Sequence, residues 1–445
     1  MSYSQDYIIN LITSEDPLGR NKYLDSTMVF FNNLPDRNLV VNLDGRWGSG
    51  KTIFCRQLEC LMNHEIYKTK KSMFPRCNSS GCLGDKYEVV YFDAWMNDVY
   101  SDPMQSLLTT LMMKFSNNQS YVKQNFEKLF NIMKLSGKSM AQQFATQLVN
   151  KVTLNTIDVD KITADISEEN SKRDKIIDLV ISVDKQREEI HNLIDSICGK
   201  KNLLIIVDEL DRCKPSFAVE FLELIKHFFD HEKTTFLIST NKTELSHTVK
   251  KYYGESFNGY GYLSRFFDME INLPRISKKK YIESQFSNAF HSDFKIIDSI
   301  NDVVNYFNLE LRDIKRIAVP FQTISAMVLY NISKFHRNDV LYEWEKVVIP
   351  FMVALKTCDG EKYNSFVKGN EENMFVEFLM NSSNSSNYIE YRENWEQLYK
   401  IIVAVYNESP LNDPTYSMVS KGIEIMFDSL SLIGENNEFN SEVDV

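Results

Sequence analysis

The sequence predicts an α/β protein: a parallel sheet with helices on both faces, a helical insertion, and a helical C-terminal lid and domain. Three observations carry that expectation. An apolar run, Leu39 to Leu43, enters a glycine-rich turn and leads into an amphipathic helix. Further apolar runs of strand character then alternate with helical patterns, the arrangement that builds parallel sheets from crossover units. From about Arg275 the strand signals stop and helical patterns continue to the end.

With 445 residues, two or three domains are expected. The expected divisions are a core over residues 1–275 with a helical insertion at about 116–200, a helical lid over 276–350, and a C-terminal helical region over 351–445 ending in a disordered acidic tail. Hydrophobic residues make up 43% and charged residues 25%, enough apolar material for a sizeable core. The net charge of −11 argues against a chain-wide electrostatic grip on nucleic acid and leaves only a local basic groove or an oligomer pore open. Seven cysteines with no paired C-x-x-C suit a reducing, cytoplasmic setting. Cys77 and Cys82 flank a short loop and could form half a zinc site, but no second pair completes it. The first residues lack a basic and apolar leader, and no uninterrupted apolar run approaches the ~20 residues of a membrane span.

Taken in order, residues 15–37 hold Asp16-Pro17-Leu18-Gly19-Arg20 and a helical pattern from Tyr23 to Phe31. This lead-in either lies beside the ligand of the next motif or covers the sheet edge. The run Leu39 to Leu43 reads as a strand, followed by Gly45-Arg46-Trp47-Gly48-Ser49-Gly50-Lys51-Thr52 and a helix over Ile53 to Met62. Gly45, Gly50, Lys51 and Thr52 fit the phosphate-binding loop G-x-x-x-x-G-K-[ST]. Glycines let backbone N–H groups curl round a phosphate, and the helix N-terminus adds partial positive charge. Lys51 is placed to reach the β- and γ-phosphates of ATP, and the Thr52 hydroxyl to ligate Mg²⁺.

Residues 64–86 are polar and loop-like, after which Tyr87 to Phe92 reads as a buried strand ending at Asp93-Ala94-Trp95. A helix over Pro103 to Lys114 presents Leu107, Leu108 and Leu111 on one face. The insertion lacks strand signals. In its last segment Ile176, Val180, Val183, Ile190, Ile194 and Ile197 keep 4-3 spacing, with Arg187 at one seam position. Such a stripe packs on its own domain in preference to forming a coiled coil with a partner. The run Leu203 to Val207 then ends in Asp208-Glu209, where ligands of open α/β sheets bind. Asp208 is a candidate Mg²⁺ ligand, and Glu209 a candidate to polarise an attacking water.

Pro215 opens a helix over Phe217 to Phe229, and Thr235 to Thr240 forms a strand ending at Asn241. Asn241 is a candidate sensor that positions water, and equally a helix N-cap. Arg265 sits in Leu263-Ser264-Arg265-Phe266-Phe267-Asp268, just before the short strand Met269 to Leu273. In the helical remainder, Lys278-Lys279-Lys280 starts a helix, and Arg312 and Lys315 lie one turn apart with Arg316 adjacent. Residues 381–387 read as a low-complexity linker and Glu435 to Val445 as a disordered acidic tail.

Together these motifs resemble the KAP family of P-loop NTPases, a branch near the AAA+ and STAND ATPases. The phosphate loop with Trp47 inside it, Phe92-Asp93-Ala94-Trp95, Asp208-Glu209-Leu210-Asp211-Arg212-Cys213 and Arg312-Asp313-Ile314-Lys315-Arg316 carry the likeness, which spans residues 15 to 320. The resemblance implies an ATPase core with a lid, Arg312 lying in the lid motif. The setting of Arg265 resembles the element from which AAA+ ATPases project an arginine finger; the alternative is a surface salt bridge at the strand entrance. Asp93 stands where the family has asparagine, the position that restrains the catalytic glutamate in related ATPases. Many members carry membrane helices between the phosphate loop and the acidic strand. Here Asp178, Asp184, Lys185, Arg187, Glu188 and Glu189 exclude a span. Some soluble relatives are bacterial and act in phage exclusion.

The leading reading is a Mg²⁺-dependent ATPase that drives a conformational change or an assembly, acting as a homo-oligomer, with a separate effector protein, or both. The alternative is a nucleotide-gated scaffold that hydrolyses slowly and recruits an effector. A small-molecule kinase is a third reading, against which Asp208, Glu209 and Asn241 suit a water nucleophile better than an organic acceptor.

Overall fold

The computed structural model describes residues 4–16, 18–64, 66–79, 86–99, 102–115, 175–274, 278–286, 294–332, 339–383, 392–409 and 417–431. The chain divides into two compact units, Met1–Arg275 and Ile276–Val445.

In the first unit the apolar runs become β1 (Leu39–Asp44), β2 (Tyr87–Asp93), β3 (Asn202–Asp208), β4 (Thr234–Thr240) and β5 (Met269–Asn272). Among the described residues they form one parallel sheet in the order β2-β3-β4-β1-β5. The three inner strands β3, β4 and β1, and the edge strand β2, are mostly apolar because both of their faces are covered. Alternate residues serve opposite layers. Val40, Phe92, Ile205, Val207, Phe236 and Ile238 pack with helices Pro103–Phe115 and Pro215–Phe228. Val41, Leu43, Val89, Leu204, Ile206 and Leu237 pack with Asn21–Asn32 and Lys51–His64. The lead-in helix Asn21–Asn32 therefore covers a sheet face, burying Leu24, Met28 and Phe31.

The expected loop over 64–86 holds two short helices, Ile66–Thr69 and Pro75–Ser79. The second is capped from a distance: the Asp25 carboxylate accepts the amides of Arg76 (3.0 Å) and Cys77 (2.8 Å). Those are donors of its first turn. Cys77 is buried in the core below, and Cys82 lies outside the described residues.

Of the expected insertion, residues 116–174 lie outside the described residues, and its last segment is the helix Lys175–Cys198. Ile190, Leu193, Ile194 and Cys198 are buried in the same layer as the helix Pro215–Phe228. Arg187, at the seam, holds Asp230 with two bonds of 3.1 and 2.7 Å. This end of the stripe packs on its own domain.

The second unit is helical wherever it is described. Helices Phe294–Tyr306, Leu311–Ile332 and Asp339–Cys358 enclose a core to which Phe351, Phe366, Phe375 and Phe378 contribute. Asp339–Cys358 runs through position 350, the expected boundary between lid and C-terminal region. At the start of the expected linker, the amide and hydroxyl of Ser383 bond to Asp302 (2.8 and 2.6 Å), while residues 384–387 and the acidic tail lie outside the described residues. Among the described residues no helix is long and apolar enough to cross a membrane.

Candidate functional site

Parallel register brings the C-terminal ends of the inner strands level. Asp44 faces Thr240, Asp208 faces Ser239, and Asp93 faces Asp208. Ligands of open α/β sheets bind at this edge. Gly45, Asp208, Glu209 and Asn241 gather here because each ends or directly follows a strand.

The phosphate-loop sequence turns back on itself after β1. Gly45 donates to the Thr240 carbonyl at 3.1 Å, and a Cβ at Gly45 would stand 3.2 Å from both Leu273 Cβ and Ser49 Oγ. Gly50 holds φ +87°, left-handed backbone that favours glycine. The helix begins at Lys51, and Phe54 donates back to the Gly50 carbonyl at 3.1 Å. The first N–H groups of such a helix have no intrahelical acceptor and bind anions readily.

Lys51 is buried. Its ammonium donates to the carbonyls of Gly45 (2.5 Å) and Arg46 (3.2 Å). Burial pulls its pKa down, while Asp211, Asp208 and Asp44 oppose that shift. A second cation supports the loop from behind. Arg20, 1% exposed, donates from Nη1 to the Gly50 carbonyl (2.9 Å) and from Nη2 to the Ser49 carbonyl (2.7 Å). Its amide in turn donates to Asp16 Oδ1 at 2.6 Å. Sequence reasoning placed Arg20 in a lead-in of open purpose. The partners lie thirty residues away, and no local pattern marks them.

Asp208 is fully buried. The Tyr91 hydroxyl donates to its Oδ2 at 2.8 Å, and among the described residues its Oδ1 has no hydrogen-bond partner. The Arg56 guanidinium lies 3.3 Å from the Tyr91 ring centroid and holds that ring in place. Burial and Asp208 push the Tyr91 hydroxyl far up, so it remains a donor. A buried carboxylate oxygen left without a donor fits a hard cation such as Mg²⁺, which is commonly held by one or two carboxylates together with phosphate oxygens. Thr52 stands in the first turn of the phosphate-loop helix.

Asp211 ties the loop to the end of β4. Its Oδ2 accepts from Trp47 Nε1 and from the Asn241 amide, both at 2.7 Å. Burial raises its pKa, with Lys51 as the largest opposing influence. Asn241 occupies the N-cap position of the helix Lys242–Tyr253, but its side chain makes no cap hydrogen bond. The Lys242 amide is taken instead by Asp44 Oδ1 at 2.8 Å.

Glu209 adopts φ +59°, unusual for a residue with a side chain, at a strain of about 1–3 kcal/mol. Its Oε1 accepts from Arg212 Nη1 at 2.9 Å, and the Arg212 guanidinium lies 4.8 Å from the Trp95 ring centroid. Burial raises the Glu209 pKa, and the charge of Arg212 works against that. Asp93 accepts from the Met96 amide at 2.9 Å and so caps the short helix Ala94–Asn97.

The structure thus brings together Gly45 to Thr52, Asp208, Glu209 and Asn241. Arg265 is exposed after the short helix Gly259–Leu263, and among the described residues its side chain makes no hydrogen bond or ion pair. Arg312 belongs to the second unit, where it and Lys315 are exposed while Leu311, Ile314 and Ile317 are buried.

The sequence matches the KAP family P-loop domain over residues 20–328. No curated protein matches it. Among solved structures, it is similar to the Aeropyrum pernix ORC2 protein (ADPNP-ADP complexes) at 10% identity, with 93% of each chain covered and a TM-score of 0.34. It is also similar to C. elegans PCH-2 at 13% identity, covering 79% of this chain and 71% of that one, with a TM-score of 0.25. Neither score is high enough to bear on fold or function.

Substituting Arg20 by Met keeps most of the stem and strands the Ser49 and Gly50 carbonyls. Loss of two charge-assisted hydrogen bonds is expected to destabilise the protein by about 3 kcal/mol in urea denaturation. A loss below about 0.5 kcal/mol, the level of a neutral surface change, would mean that Arg20 does not brace the loop.

Proposed function

Because the chain belongs to the KAP family of P-loop NTPases, we propose that it is a Mg²⁺-dependent ATPase coupling hydrolysis to a conformational change or an assembly. The observation that carries this reading is Asp208, with one oxygen fixed by Tyr91, the other unpaired, and Lys51 close by. An unpartnered buried carboxylate oxygen is costly unless a cation or proton completes it. The family implies nucleotide binding, and a nucleotide–metal complex would supply a cation for Asp208 and anionic oxygens for Lys51.

In this reading the backbone of Gly45, Arg46, Trp47, Gly48, Ser49 and Gly50 cradles the phosphates. Lys51 exchanges its loop carbonyls for β- and γ-phosphate oxygens. Asp208 and the Thr52 hydroxyl would hold Mg²⁺, which when bound neutralises charge on the phosphates. Glu209 polarises the attacking water and accepts its proton, and Asn241 orients that water. Arg265 acts on the γ-phosphate of a neighbouring subunit, and Arg312 contributes from the lid. A place in bacterial antiviral defence rests on the family resemblance alone.

The second reading, a slowly hydrolysing scaffold that recruits an effector, is favoured by one observation. The Glu209 carboxylate is already engaged by Arg212. Phosphate release on the order of 1 per second or faster suits the first reading, and release slower than about one per hour the second.

Lys51→Ala is expected to lose ATP binding or turnover while the protein remains folded. Glu209→Gln should bind ATP normally and hydrolyse it at least about a hundredfold more slowly. Asp208→Ala should lose Mg²⁺-dependent binding. Wild-type ATP affinity and turnover in a folded Lys51→Ala protein would sink the reading.

If Arg265 works in trans, specific activity should rise with protein concentration, and Arg265→Ala should bind ATP yet stay inactive. Mixing Arg265→Ala with Lys51→Ala should then restore part of the activity, because the second variant lends its arginine to the intact loop of the first. Concentration-independent turnover without rescue would remove the role.

A further inference from the structure

Glu209 is not free to act as described. The 3₁₀ turn Leu210–Arg212 immediately after it places Arg212 Nη1 2.9 Å from Glu209 Oε1. That turn is pinned on several sides. Leu210 is buried, Asp211 is held by Trp47 and the Asn241 amide, and the Lys214 amide donates to Asp98 Oδ2 at 2.9 Å. The guanidinium also has a platform, the Trp95 ring, at 4.8 Å. Three features therefore converge on one carboxylate: a left-handed backbone that fixes where it starts, a charged partner, and an aromatic seat for that partner.

Asp93 is the residue that faces Asp208 across the strands, and its Oδ1 is spent on the Met96 amide. The contact that restrains Glu209 comes instead from the glutamate's own turn. The bond directs the Glu209 carboxylate at the guanidinium, and the pair must open or lengthen before that carboxylate can reach a water. The pair is partly buried, with side-chain exposures of 20% for Glu209 and 31% for Arg212, so solvent screens it less than a surface ion pair.

Resting on the ATPase reading above, we propose that Arg212 is a positioning residue that holds Glu209 out of action, with Trp95 as the platform that keeps Arg212 in place. Turnover is limited by release of that pair. Guanidinium suits the role because its planar fork can bond the carboxylate and lie against the indole together.

The test is steady-state phosphate release and ATP affinity in the full-length protein with Mg²⁺. Arg212→Ala is expected to raise kcat about tenfold with KM for ATP unchanged. Arg212→Lys, which keeps the charge, should return kcat toward the wild-type value. Trp95→Ala should raise kcat by a smaller factor, about threefold. Adding Arg212→Ala to Glu209→Gln should leave the residual turnover of Glu209→Gln unchanged, whereas an effect of Arg212 that does not run through Glu209 would still raise it. If Arg212→Ala fails to fold, Trp95→Ala carries the test, because its half-exposed indole can be removed without opening the core. Equal or slower turnover in Arg212→Ala, or in Trp95→Ala where that variant carries the test, overturns the restraint and leaves the ATPase reading standing. If neither the wild type nor Arg212→Ala releases phosphate while both bind ATP, the hydrolase reading fails and the restraint falls with it.

Discussion

The parallel pairing of β1, β4, β3 and β2 sets Asp44, Asp208 and Asp93 at one edge of the sheet. Asp211 follows within the next turn. Like charges gathered in a partly dry edge repel one another, and each resists burial. The cation that answers them inside the loop is Lys51, whose ammonium rests on the carbonyls of Gly45 and Arg46. Its charge is felt by Asp211, while Asp208 keeps an oxygen with no partner. This compensation is incomplete, and its incompleteness is the chemical signature of the site. A folded chain tolerates such a cluster where a ligand of matching charge completes it.

Side chains from distant parts of the sequence stabilise this edge. Arg20 braces the loop through the Ser49 and Gly50 carbonyls, and Tyr91 fixes one oxygen of Asp208. Asp211 couples Trp47 in the loop to the amide of Asn241 at the end of β4. Through that carboxylate, a shift of the loop bears directly on the candidate sensor. Trp47 is 45% exposed, so its indole lies partly open while its Nε1 remains engaged.

Much of the fold was legible in the sequence, for a physical reason. Strands buried on both faces must be continuously apolar, so Leu39 to Leu43, Tyr87 to Phe92 and Leu203 to Val207 stand out from their surroundings. The phosphate loop was legible because its backbone tolerates few residue types, and Asp208 because it ends such a run. Short helices with remote caps were not legible. Pro75–Ser79 depends on Asp25, fifty residues earlier, and nothing local announces that bond. The pairings of Arg20, Tyr91 and Arg212 escaped for related reasons. Two are purely tertiary, and the third joins residues three apart in a turn, where no periodic pattern betrays the contact. Arg187 looked out of place in an apolar stripe until its partner, Asp230, came from the loop before β4.

On the proposed reading, a nucleotide and its metal complete the charge that Asp208 Oδ1 leaves unpartnered at this edge. The most direct measurement is an experimental structure of the full-length protein with Mg²⁺ and a non-hydrolysable ATP analogue. The account expects Lys51 Nζ to leave the Gly45 and Arg46 carbonyls for the β- and γ-phosphate oxygens, with Asp208 Oδ1 directed at the metal shell. Nucleotide bound elsewhere, or bound here with Lys51 still on its loop carbonyls and Asp208 Oδ1 turned away from the metal, would contradict it.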